Sequence, residues 1–125
     1  MIIKNEYKKL VLIVDDEPRI GRILSPSFRL KGYQVITCTG GAEAIKLIEQ
    51  EKPDLMLLDI IMPGMDGLQV LQQVRTFSSI PVIIFTARPD LIEQAMHLGA
   101  NDSITKPFNP DQLMEKVSCI LNNHG

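Results

Sequence analysis

Runs of one charge are scarce in this chain, and no stretch of Lys or Arg is longer than Lys8–Lys9. Thirteen basic residues against fifteen acidic ones leave a net charge of −2. The cationic footprint that a phosphate backbone demands is missing, so no direct nucleic-acid partner is expected. Cysteine is nearly absent. Cys38 and Cys119 stand far apart with no Cys or His at metal-ligand spacing, which argues against a disulfide framework or a zinc site. Both read as small buried apolar residues. Long apolar runs are lacking too. The first of them, Leu10 to Val14, is five residues long, well short of the roughly 18 of a membrane helix or the roughly 7 to 15 of a signal-peptide core. The expectation is a cytoplasmic protein with no membrane partner.

What is present is ordinary for a folded domain. Hydrophobic residues make up 45% and charged ones 22%, far from the composition that keeps chains disordered. A chain of 125 residues is short for more than one core. Residues 1–125 are read as a single domain with its core over 9–122, and no internal linker or low-complexity tract interrupts it.

Short β-rich runs recur at Leu10 to Val14, Val35 to Cys38, Leu55 to Leu58, Val82 to Phe85 and Ile104 to Thr105. The first and third are apolar at consecutive positions, as strands covered on both faces require, and each gap has room for a helix. Helical spacing fills those gaps: Ile20, Ile23, Leu24 and Phe28; Ala44, Ile45 and Ile48; Leu68, Leu71 and Val74; Leu91, Ile92 and Ala95; Leu113, Val117, Ile120 and Leu121. The expectation is a doubly wound α/β domain with a five-stranded parallel sheet and five helices. Pro26 falls inside the first helix, where a kink or a restart is expected. Asn109, Pro110 and Gln112 read as the start of the last helix, with Gln112 placed to close a capping box.

In open α/β sheets the site lies beyond the carboxyl ends of the strands, where strand order reverses. Here the first strand runs into Asp15 and Asp16, the third into Asp59, the fourth into Thr86 and the fifth into Lys106. With strand order 2-1-3-4-5 all of these meet at one edge. Carboxylates about 5 Å apart repel by about 3 kcal/mol at an effective dielectric near 20, so a cation belongs among them. Hard oxygen ligands without His or Cys favour Mg²⁺. Lys106 adds a positive charge and Thr86 a hydroxyl, both suited to a phosphoryl group. A carboxylate can itself be the nucleophile, and Asp59 is the candidate. Taken singly, each has a plainer reading: Asp15–Asp16 as a helix cap, Asp59 as an exposed strand end, Lys106 as a solvated side chain, Thr86 as a β-former.

Together, Asp15–Pro18, Asp54–Gly67, Thr86–Arg88 and Lys106–Phe108 resemble a bacterial two-component response-regulator receiver domain, a flavodoxin-like fold. The resemblance covers roughly Lys9 to Asn122. It implies that Asp59 accepts a phosphoryl group from a sensor histidine kinase or a histidine phosphotransfer protein. It also implies Mg²⁺ held by Asp16 and Asp59, by the backbone carbonyl of Ile61, and by Asp15 through water. Lys106 then pairs with the phosphoryl group, Thr86 follows it inward, and Lys106–Pro107 is a cis peptide. Such a switch catalyses only its own phosphoryl transfer and slow autodephosphorylation.

Two other functions are weighed beside the switch: a small Mg²⁺-dependent phosphohydrolase with an aspartyl-phosphate intermediate, and a binding module that is never phosphorylated. The position three before Lys106, usually Tyr or Phe in the family, is Ser103, and the stretch from Thr86 to Gly99 is shorter than usual. Pro63–Gly67 reads as a turn, His97 as a helix-surface residue and His124 as part of the terminus. Output is expected through the face of the fourth helix, fifth strand and fifth helix. There Asp102 and Lys116 can pair, while Ile92, Met96 and Ser103 leave an apolar, unobstructed surface. The isolated domain is accordingly expected to be monomeric, contacting an output domain or protein.

Overall fold

The structure, a computed structural model, describes residues 8–123. His124 lies outside them. Five parallel strands, β1 (Leu10–Val14), β2 (Gln34–Cys38), β3 (Leu55–Asp59), β4 (Val82–Thr86) and β5 (Asp102–Thr105), alternate with five helices: α1 (Pro18–Leu30), α2 (Gly41–Glu51), α3 (Gly67–Val74), α4 (Ile92–His97) and α5 (Pro110–Asn123). The sheet order is β2-β1-β3-β4-β5, the expected doubly wound arrangement. Each run predicted as a strand forms one. The last four extend by one or two residues because the backbone ladder continues past the apolar side chains. At the sheet edge, Asp102 and Ser103 pair with Ile83 and Ile84.

The central strands β1, β3 and β4 are buried at every position, and alternate residues feed two cores. On one face Leu12, Val14, Met56, Leu58, Val82 and Ile84 pack with α2, α3 and α4. On the other Val11, Ile13, Leu55, Leu57, Ile83 and Phe85 pack with Leu24, Phe28, Leu113, Val117 and Leu121 of α1 and α5. Truncating one of these, such as Leu57→Ala, costs about 2 to 5 kcal/mol, so the strand ends stand on a rigid base.

Four expectations are corrected. The first helix runs unbroken from Pro18 to Leu30 across Pro26, with no restart. Pro26 and Arg22 are both exposed, so a carbonyl that loses its donor turns to solvent. Ser25 Oγ also donates to the Gly21 carbonyl at 2.5 Å, supporting that turn from within. Ile23, expected in the core, is 60% exposed. Cys119 is exposed, whereas Cys38 is buried as expected. In the fourth helix only Ala95 is fully buried, while Ile92, and Leu91 just before the helix, are half-covered. That helix has six residues, preceded by a 3₁₀ turn at Pro89–Leu91. At α5, Asn109 Oδ1 accepts from the Asp111 amide at 2.8 Å. Among the described residues no helix is long and apolar enough to cross a membrane.

Candidate functional site

The β1–β3 pairing, with Val14 opposite Leu58, brings the ends of both strands side by side. Carboxylate oxygens of Asp15, Asp16 and Asp59 lie within 4.8 Å of one another. Asp15 and Asp59 are buried, at 3% and 5% exposure, whereas Asp16 is open to solvent. Beyond β5, the Lys106 amide donates to the Thr86 carbonyl at 2.8 Å and carries the ladder one residue further. The Lys106–Pro107 peptide that follows is cis, as expected. Lys106 Nζ stands 2.8 Å from Asp15 Oδ2 and 3.2 Å from Asp59 Oδ2.

Backbone amides hold the two buried carboxylates. Asp15 Oδ1 accepts from the Glu17 amide at 2.8 Å, and Asp59 Oδ1 accepts from the Ile61 amide at 3.3 Å. One oxygen of each is thus fixed by the loop that follows it, and the other faces Lys106. Burial pushes the Asp59 carboxyl above the ordinary carboxylate range. The Lys106 charge pulls it back and the Asp15 charge pushes it up again. For Lys106 burial works against the ammonium, but the hydrogen bond it donates to Asp15 and the charges of Asp59 and Asp15 outweigh it. Its pKa lies above the usual lysine value.

Thr86 is fully buried, its Oγ1 accepting from the Arg88 amide at 3.0 Å. Arg88 forms a bidentate pair with Asp90, at 2.9 and 2.7 Å. Ile61 is 47% exposed at the rim.

Three contributors were missing from the sequence reading. Asp66, read only as part of a turn, caps α3: Asp66 Oδ1 accepts from the Gln69 amide and Gln69 Oε1 accepts from the Asp66 amide, both at 2.9 Å. The Asp–x–x–Gln spacing was a visible signal for it. Gly67 lets that helix start against β3, since a Cβ there would overlap the Asp59 carbonyl oxygen and Ile60 Cα. Phe85 places its ring beneath Lys106, and nothing in the sequence alone marks it.

Residues 11–118 match the family described as the response regulator receiver domain. The chain belongs to that family. The curated protein "Probable transcriptional regulator ycf27" of Guillardia theta is 42% identical over 118 residues, covering 93% of this chain and 46% of its own length. The protein of that name in Galdieria sulphuraria is 40% identical over 91% of this chain and 46% of its own. The receiver thus spans about half the length of the curated relatives it matches. Among solved structures, the Francisella response regulator 1452 receiver domain superposes with a TM-score of 0.88 at 28% identity, covering 94% of this chain and all of that one. The Thermotoga maritima response regulator TrrA, in complex with Mg²⁺ and BeF, gives 0.83 at 36% identity, covering 90% and 99%. Receiver domains and transcriptional regulators are signalling proteins rather than classical enzymes.

The residues fit a divalent cation. Three carboxylates converge with no nitrogen or sulfur ligand, the donor set of a hard ion. Asp16 keeps one side open to water.

Proposed function

We propose that this receiver is the phosphorylation-controlled switch of a two-component relay, with Asp59 as its acceptor. The supporting observation is that the Lys106 ammonium bridges two buried carboxylates, Asp59 and Asp15, at the sheet's switch point. A carboxylate oxygen of Asp59 attacks the phosphorus of the donor, a phosphohistidine of a sensor kinase or phosphotransfer protein. The P–O bond forms as the P–N bond breaks, and the electron pair leaves with the imidazole. Asp16, Asp59 and the Ile61 carbonyl, with Asp15 through water, would hold Mg²⁺, whose charge would offset that of the phosphoryl oxygens. Lys106 pairs with the transferred group, and Thr86 turns toward it as the switch.

Output runs through the face formed by α4, β5 and α5 to a domain or protein other than a second copy. Lys116 Nζ contacts Asp102 at 3.2 and 3.3 Å there, and exposed pairs of this kind contribute only about 0 to 1 kcal/mol. Met96 and the half-covered Ile92 and Ser103 suit a heterologous contact. The domain, with core residues 9–122, works in the cytoplasm.

Incubation with Mg²⁺ and a small acyl phosphate, followed by intact mass, tests the central claim. One phosphoryl mass is expected on the wild-type protein and none on Asp59→Asn. The same gain on Asp59→Asn overturns the assignment.

A further inference from the structure

Besides the two carboxylates, the Lys106 ammonium has a third neighbour. Its Nζ stands 4.6 Å from the centroid of the Phe85 ring. Phe85 is fully buried and pairs with Asp59 in the β3–β4 register. Phe108 meets it from the side, ring centroids 6.2 Å apart and planes at 83°, so the ring orientation is itself fixed. The face of an aromatic ring is electron-rich and attracts a cation lying within about 6 Å of its centroid. The Lys106 side chain is only 22% exposed, which limits screening of that attraction. An aliphatic residue would fill the same volume without attracting the charge.

The contacts on Lys106 differ in what phosphorylation does to them. Asp15 and Asp59 offer the same oxygens that a divalent cation takes, and Asp59 changes chemically when it becomes an acyl phosphate. The ring is the contact that neither event removes. We propose that Phe85 is a positioning residue: its ring holds the Lys106 ammonium over the acceptor while the carboxylates are engaged elsewhere. This rests on Asp59 being the phosphoacceptor.

Fluorination of the ring tests it with little change of shape. The full chain is made with Phe85 replaced by 4-fluoro-, 3,5-difluoro- or 3,4,5-trifluorophenylalanine, each in wild-type and Lys106→Met backgrounds. Phosphorylation by acetyl phosphate and Mg²⁺ is followed by intact mass. The rate should fall stepwise with fluorine number, about fivefold at three fluorines, and the dependence should vanish in Lys106→Met. Without Mg²⁺, the ¹⁹F resonance of 4-fluorophenylalanine at 85 should move when Lys106 is replaced by Met. A flat series, or an equal slope in both backgrounds, overturns the role of the ring. Failure of the acceptor assignment is distinct, since then Asp59→Asn gains the phosphoryl mass.

Discussion

Lys106 lies closer to Asp15 than to Asp59, its Nζ 2.8 Å from one carboxylate and 3.2 Å from the other. Asp59 therefore shares its counter-charge with a neighbour, and the ammonium contacts carboxylate oxygens that a cation would need. Removing the ammonium leaves three carboxylates within 4.8 Å without their internal cation. Lys106→Ala should bind Mg²⁺ several-fold more tightly than wild type, measured by titration calorimetry, yet respond poorly to phosphorylation. Loss of Mg²⁺ binding in this variant contradicts the account.

Asp59 has a linkage signature. Because its folded pKa is raised, the folded state takes up this proton more readily than the unfolded state. The stability gained is present at acid pH and lost as pH rises through the folded pKa. Once ionised, Asp59 costs stability. Asp59→Asn should melt a few degrees higher than wild type at pH 7 without divalent cations, and the gap should close as pH falls toward the ordinary carboxylate range. Thermal melts across pH, with and without Mg²⁺, read this directly. A lower melting temperature for Asp59→Asn at pH 7 counts against it.

The lifetime of the phosphorylated form should depend on Ile61. Its half-exposed side chain sits two residues after Asp59, is apolar, and cannot orient a water for in-line attack. Arg88 is held by Asp90. Ile61→Asn should therefore shorten the lifetime several-fold, measured by loss of the phosphoryl mass after donor removal. An unchanged lifetime rejects this explanation of slow hydrolysis.

Gly67 is required by space rather than by φ. Any Cβ there overlaps the Asp59 carbonyl oxygen and Ile60 Cα, both backbone atoms that cannot rotate away. Gly67→Ala should cost about 3 kcal/mol of stability and slow phosphorylation by displacing the β3 end. Urea unfolding and acetyl-phosphate kinetics on the same sample check both parts. Wild-type values in the two assays would show that the helix start adjusts freely.

Cys38 and Cys119 should differ sharply toward thiol reagents, although both were expected to be buried. Burial pushes the Cys38 thiol up to about 12, and only Cys119 is exposed. Native protein should be alkylated at Cys119 alone, with Cys38 reacting after unfolding. Peptide mapping after a short iodoacetamide pulse distinguishes the two.

Much of this molecule was legible in one dimension because its determinants are local. Residues such as Leu12 and Leu57 sit in apolar runs that only a strand covered on both faces can use. Asp15, Asp16, Asp59, Thr86 and Lys106 fall at strand ends, which a parallel sheet must bring to one edge. Other features depend on packing between segments far apart in sequence. The exposure of Ile23 and Cys119 depends on how α1 and α5 turn against the sheet, since helical spacing does not say how wide the buried stripe is. The sharing of Lys106 between Asp15 and Asp59, and its seat above Phe85, arise from β4–β5 register and a side chain reaching across three strands. Those contacts join residues up to 91 positions apart, and only the closed tertiary structure fixes distances of that kind.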